Sequence, residues 1–245
     1  IAAANSGATT QITSTNCVLL GNTGTVSGPF PKTVSICNGT AIPSSTGMIM
    51  IGTDDPAVLA GDRSIIIGGT RAGINRSQVN GADAVAIGGK RPRAVGENAV
   101  AIGGASNLAA GSNALVIGGS SLTAAASQAS CIGGNGCSAF GDNAITLGGL
   151  TNQATGLASG IVAGTMNVAS SPNGCIAGGA SNTVADDNGF VGGGSTNNVT
   201  ATGERSGIVA GSGNTNSGSD CFVAAGSGNT ISAGTGNNTI IGGAG

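Results

Sequence analysis

Glycine pairs at a fixed interval are the feature of this sequence that most constrains its fold. The first glycine of successive pairs stands at Gly88, Gly103, Gly118, Gly133 and Gly148, a step of 15 residues each time. The frame continues through later pairs, with 17-residue steps at two joins and one long coil of 20 residues between Gly68 and Gly88. A unit this short cannot bury a core alone, so neighbouring repeats must stack on one another.

Each repeat has the same internal order. A short apolar stretch such as Val100-Ala101-Ile102 precedes the glycine pair, and a second short stretch leads to a turn such as Gly111-Ser112-Asn113. Glycine and asparagine adopt the positive φ angles of tight corners, while Val, Ile and Thr favour strands. The pattern predicts an all-β fold, a parallel β-solenoid of ~15-residue coils with two short strands per coil.

Composition excludes other classes of protein. Gly supplies 48 of the 245 residues, which would cost a helical bundle roughly 1 kcal/mol at each interior position. The net charge of −2 gives no electrostatic case for nucleic acid, and no run approaches the ~20 apolar residues that span a bilayer. The chain has no His, which removes Ser-His-Asp, Cys-His and His-metal sites. We therefore expect no enzyme activity, catalytic residue, metal, cofactor, nucleic acid or membrane insertion.

Asparagine recurs four residues after the first position of the glycine pair. We interpret this column as a structural ladder in which each amide bonds to the next, and not as a ligand site. Its members are Asn107, Asn152, Asn167, Asn182, Asn197, Asn214 and Asn229.

Adjacent residues within the strands are both apolar, so neither face of the strand is suited to water. Strands buried on both faces have this pattern, and one thin coil has only one interior. We therefore expect a homo-oligomer, whose closed symmetry covers the second face. The large residue directly precedes the glycine pair up to Leu147 and lies one residue earlier from Ile161 onward. We interpret this shift as a change in the face that carries the bulk.

The repeats resemble the head repeats of YadA-like trimeric autotransporter adhesins, through stretches such as Val100-Ala101-Ile102-Gly103-Gly104 and Ala109-Ala110-Gly111. They are also similar to repeats in phage and virus fibres. The resemblance covers roughly Met48 to Gly245 and implies a left-handed β-roll, a homotrimeric rod and an adhesive or structural role. The sequence departs from the adhesin pattern in its six Cys and in showing no anchor barrel or heptad stalk.

Basic residues are concentrated in the long coil and the coil that follows it. Six of the eight Lys and Arg fall between Arg63 and Arg93. One hypothesis is a collar that binds a neighbouring protein, a host receptor or an anionic glycan. The candidate partner-binding residues are Arg71, Arg76, Lys90, Arg91 and Arg93. The alternative, which we favour from sequence, is a solvated charged bulge paired with Asp62 and Asp83.

The cysteines make no CxxC pair, so a zinc or redox site is not expected. Disulfides between Cys131 and Cys137, or between Cys17 and Cys37, are the less favoured alternatives to free thiols. Unpaired Cys favours assembly in a reducing cytosol, as for phage proteins, over secretion.

We divide the chain into an N-terminal cap or attachment segment, 1–47, which would contact other virion or surface proteins, and a repeat region, 48–245. The expected function is that of a structural or adhesive protein forming a trimeric rod on a virion surface, in attachment or assembly. A head fragment of a bacterial adhesin on the cell surface is the alternative, and an ice-binding solenoid is a third hypothesis.

Overall fold

The computed structural model describes residues 2–3, 10–12, 18–20, 24–26, 34–36, 42–43, 46–52, 58–59, 61–68, 77–200 and 204–245. The chain divides into two compact units, Ile1–Ser121 and Leu122–Gly245. Each unit is a parallel β-solenoid of short strands joined by turns, and the described residues include no helix. The predicted fold class is therefore confirmed. The left hand of the coil, the trimer and the division at residue 48 stay predictions.

The described residues of the first unit form fifteen strands. They are β1 (Ala2–Ala3), β2 (Thr10–Ile12), β3 (Val18–Leu20), β4 (Gly24–Val26), β5 (Val34–Ile36), β6 (Ile42–Pro43), β7 (Ile49–Ile51), β8 (Val58–Leu59), β9 (Ile65–Ile67), β10 (Gln78–Val79), β11 (Val85–Ile87), β12 (Arg93–Ala94), β13 (Val100–Ile102), β14 (Leu108–Ala109) and β15 (Leu115–Ile117). The odd-numbered strands pair in parallel as a first ladder, and β6 to β14, even-numbered, form a second ladder. Strands β2 and β4 pair with each other.

The second unit repeats this arrangement. Its strands are β16 (Thr123–Ala124), β17 (Ser130–Ile132), β18 (Ser138–Ala139), β19 (Ile145–Thr146), β20 (Gln153–Ala154), β21 (Gly160–Ile161), β22 (Val168–Ala169), β23 (Cys175–Ile176), β24 (Thr183–Val184), β25 (Phe190–Val191), β26 (Asn198–Val199), β27 (Gly207–Ile208), β28 (Thr215–Asn216), β29 (Phe222–Val223), β30 (Thr230–Ile231) and β31 (Thr239–Ile240). Here too the odd-numbered strands form the first ladder and the even-numbered strands the second.

Strand register follows the sequence repeat. Val85 pairs with Val100 and Val100 with Leu115, and the long coil pairs Ile65 with Val85. Phe190 pairs with Gly207 across one of the 17-residue joins. A third column, of isolated bridges such as Lys90 to Ala105, lies just after the glycine corner. The sequence did not predict this column.

The corners have the backbone that their residues predict. The pair Gly103 and Gly104 has φ values of +66° and +69°, and the opposite corner places Asn98 and Asn113 at +53° and +56°. Only glycine adopts such angles freely, with asparagine next. Gln128 and Ala158, in the same column as Asn113, also have positive φ, so the coil imposes this angle whichever residue stands there.

The interior changes along the chain, and the turn of the isoleucines from outward to inward falls within the second unit, after Leu147. In the first unit the central strand residues Ala86 and Ala101 are fully buried, and large neighbours such as Ile102 face outward. In the second unit Ile161 and Ile176 fill the same central position and are fully buried. These burials confirm the change of face that the shifted apolar residue indicated.

Candidate functional site

Three basic residues occupy one coil of the first unit. Lys90 donates its backbone N–H to the Gly104 carbonyl (2.8 Å) and accepts from the backbone N–H of Ser106 (2.7 Å). The backbone N–H of Arg93 donates to the Asn107 carbonyl (3.0 Å). Buried Pro92 stands between the two arginines. The backbone that carries this basic cluster, defined as Lys90, Arg91 and Arg93, is thus held by interstrand hydrogen bonds on both sides of the corner.

The side chains of the basic cluster have no carboxylate partner in the part of the chain that the structure describes. Lys90 and Arg93 are exposed, and Arg93 Nε donates to Gln78 Oε1 (2.9 Å). Arg91 is half-buried, with φ +61°, and its Nη2 donates to Ser106 Oγ. Arg91 Nε is buried with no hydrogen-bond partner. The cluster therefore keeps its positive charge uncompensated.

Two other arginines are paired. Arg63 binds the carboxylate of Asp83 through both Nε and Nη2, and Arg205 binds Asp220 in the same bidentate way (2.7 and 2.9 Å). In each pair the hydrogen bond from the guanidinium lowers the pKa of the aspartate and raises the pKa of the arginine.

The interpretation as a solvated bulge paired with Asp62 and Asp83 holds for Arg63, whereas the exposed side chains of Lys90 and Arg93 pair with neither aspartate. Asp83 is taken by Arg63, and Asp62 accepts from the backbone N–H and the hydroxyl of Thr46 (3.0 and 3.2 Å). The remaining candidates, Arg71 and Arg76, lie outside the described residues, as do residues 69–76 of the long coil.

The asparagine column lies inside the coil and is fully hydrogen-bonded at its centre. The Oδ1 of Asn182 accepts from the backbone N–H of Asn197, one coil on (3.0 Å). Its Nδ2 donates to the carbonyls of Gly178 in its own coil (3.0 Å) and Gly194 in the next (3.1 Å). The same pattern holds at Asn152, Asn167, Asn197 and Asn214.

This pattern differs from the predicted amide-to-amide ladder. Side chain bonds to side chain only where Asn214 and Asn229 donate to the preceding Oδ1 (3.1 and 3.0 Å). The amides otherwise satisfy the backbone of the glycine corner, because the corner's carbonyls are buried and need donors. Asn107 makes the corresponding bonds to Gly103 and Gly118 (3.1 and 2.5 Å). In the second unit Cys137 fills the slot, and its Sγ lies 3.3 Å from the Gly148 carbonyl.

A buried carboxylate was missed by the sequence reasoning. Asp186 is fully buried at a corner position that glycine holds in most other coils, such as Gly141 and Gly156. Its Oδ2 accepts from the backbone N–H and the hydroxyl of Ser206 (3.1 and 2.6 Å), while Oδ1 has no partner. Burial away from water raises the pKa of Asp186. The signal that could have found it is its place in the glycine column, 30 residues or two coils after Gly156.

The first ladder of the first unit has an apolar outer face. In β7, β9, β11, β13 and β15 the central residue is buried and the two flanking residues face outward. All ten outward residues are aliphatic: Ile49, Ile51, Ile65, Ile67, Val85, Ile87, Val100, Ile102, Leu115 and Ile117. Contiguous apolar surface of this kind marks an interaction site.

The outer face of the first ladder is less even in the second unit. Phe190 and Phe222 are 39% and 40% exposed, and Gly207 lies between them in register. Near the glycine corner, Leu147 and Val162 are 42% and 48% exposed. Large apolar side chains therefore remain uncovered in this unit as well.

Within the described residues, no group of three or more His, Cys, Asp and Glu is placed to hold a metal ion. The same residues include no helix long and apolar enough to cross a membrane. Cys131, Cys137 and Cys221 are buried free thiols and Cys175 is a half-buried one, whereas Cys17 and Cys37 lie outside the described residues.

Neither a protein-family model nor a curated protein matches this chain. The resemblance to YadA-like head repeats therefore stays a prediction from the repeat motif.

Proposed function

We propose that this chain is a non-enzymatic structural or adhesive protein that forms a homotrimeric β-solenoid on a virion surface. The observation that carries the proposal is the aliphatic outer face of the first ladder, from Ile49 to Ile117, which a single chain covers only in part. Cyclic symmetry covers such a face by turning the same residues of every chain toward one axis. The resemblance to trimeric head repeats favours three chains.

The size of the face indicates how much of the chain must take part. Five strands ~4.8 Å apart, with two outward columns ~7 Å apart, present on the order of 300 Å². A stable interface covers about 800 Å² on each partner. The uncovered apolar residues of the second unit, such as Phe190 and Phe222, would have to contribute too.

The cysteines favour a virion protein over the head of a secreted adhesin. Four free thiols suit a protein that folds and assembles in a reducing cytosol. The absence of His, together with the absence of a metal-binding group among the described residues, supports a role without catalysis.

Light scattering tests the trimer. We expect a mass near three times 22.8 kDa for the natural chain. The double variant Val100→Lys/Ile102→Lys places two charges on the outer face and should fall to the single-chain mass. The control Gln153→Lys/Thr155→Lys puts the same charges at the same spacing on the exposed side of the second ladder and should keep the trimer. A single-chain mass for the natural protein would overturn the proposal.

Localisation tests the proposal that the protein lies on a virion surface. Labelled antibody against the chain should decorate intact particles. Decoration of bacterial cells and not of particles would favour the adhesin alternative.

A further inference from the structure

We propose that the basic cluster, Lys90, Arg91 and Arg93, binds an anionic polysaccharide through its sulfate or carboxylate groups. The inference deepens the proposed function, since it names a ligand class for the surface protein. It starts from charge: among the arginines and lysines that the structure describes, Arg63 and Arg205 have carboxylate partners and the basic cluster has none.

The cluster is held in place before any ligand arrives. The backbone of Lys90 and Arg93 is hydrogen-bonded to the next coil, and Pro92 between the arginines is buried. The neighbouring residues of the next coil, Ala105, Ser106 and Leu108, include no carboxylate that could compete with an anionic ligand for the cations. The two arginine side chains are also hydrogen-bonded, Arg91 to Ser106 and Arg93 to Gln78, so part of the ordering that binding requires is already in place.

Guanidinium chemistry selects the ligand group. The planar fork of arginine matches the two oxygens of a carboxylate or sulfate. Arg63 and Arg205 already hold Asp83 and Asp220 in that bidentate way. Arg93 is exposed, with only Gln78 bound at Nε, so the rest of its fork is free for a ligand oxygen.

Other polyanions fit less well. Single-stranded nucleic acid is bound through aromatic stacking as well as charge, and residues 77–121 contain no aromatic side chain. A flexible polysaccharide needs fewer contacts per chain if three copies of the cluster act together, as in the proposed trimer.

The experiment measures retention on immobilised heparin, which carries sulfates and carboxylates, and on hyaluronan, which carries carboxylates only. The variant Lys90→Gln/Arg93→Gln removes two exposed charges and leaves half-buried Arg91 in place. The control Arg63→Gln/Arg205→Gln removes two paired charges, so both variants have the same net charge. We expect the natural chain and the control to bind alike and the cluster variant to bind about tenfold more weakly.

Three outcomes would overturn the inference. The first is that neither polysaccharide retains the natural chain. The second is that the two double variants lose the same amount of retention. The third is that immobilised oligo-dT binds the chain as tightly as heparin does, or more tightly, and through the same cluster. Light scattering on the same samples separates this inference from the proposed function: cluster-dependent heparin binding by a single chain would support the site and contradict the trimer.

Discussion

The two units fill their coils differently, although the difference is one of degree, since Ile66 and Val116 of the first unit are large and buried too. In the first, small residues such as Ala86 and Ala101 lie inside and Ile87 and Ile102 face outward. In the second, Ile176 lies inside, and an uninterrupted asparagine column from Asn152 to Asn229 supports the glycine corners. The corner backbone therefore recurs in both units, whereas the interior side chains vary around it.

The prediction with the largest expected effect is that a glycine corner has less room for a Cβ atom where the asparagine column supports it. A Cβ on Gly179 would lie 2.1 Å from the Gly194 carbonyl oxygen and 2.6 Å from Asn182 Nδ2, at φ +89°. On Gly89 in the first unit the nearest atom would be at 2.7 Å. We expect Gly179→Ala to lower the free energy of unfolding by about 4 kcal/mol and Gly89→Ala by about 2 kcal/mol. Urea denaturation measures both.

Gly178 provides the control for this prediction. A Cβ there meets nothing within 4 Å, and Ala163 and Ala210 hold the same repeat position. Gly178→Ala should change the free energy of unfolding by less than about 0.5 kcal/mol. Equal losses at Gly178 and Gly179 would show that neither the contact with the next coil nor the positive φ of Gly179 decides the cost.

The second prediction concerns the asparagine column itself. Asn182→Ala removes two donors from buried carbonyls and the acceptor of the Asn197 N–H. Leaving such groups unsatisfied should lower the free energy of unfolding by about 3 kcal/mol. Asn198→Thr is the control, because Thr183 and Thr215 stand beside it in register. A similar urea midpoint for both variants would mean that water replaces the lost bonds.

Sequence predicted the features that depend on one residue's own backbone. Coil length and corner positions followed from glycine and asparagine, since positive φ is a local requirement. The partners of the Asn182 amide, the bridge column at Lys90 and the burial of Asp186 depend on side chains and carbonyls one coil away. The unpaired state of the basic cluster was missed for the same reason: Asp83 could be assigned to Arg63 only from coordinates.

The prediction with the smallest expected effect concerns one carboxylate from each unit, Asp83 in the first and Asp186 in the second. The hydrogen bond from Arg63 lowers the pKa of Asp83 below its ordinary value of 3.8, so its contribution to stability is present above that pH and is lost as the pH falls. Burial raises the pKa of Asp186, so the folded chain holds that proton more tightly. Its contribution is present below pH 3.8 and is lost as the pH rises through the folded-state pKa.

Asparagine at position 186 removes this titration and keeps an acceptor for Ser206. Asp186→Asn should therefore raise the free energy of unfolding at pH 7 by on the order of 1 kcal/mol, and the gain should shrink as the pH approaches the ordinary aspartate pKa. Asp83→Asn should do the reverse, with a loss at pH 7 that disappears in acid. Urea denaturation at several pH values measures both. A loss of stability in Asp186→Asn at pH 7 would mean that the ionised carboxylate is favoured at this corner despite its burial.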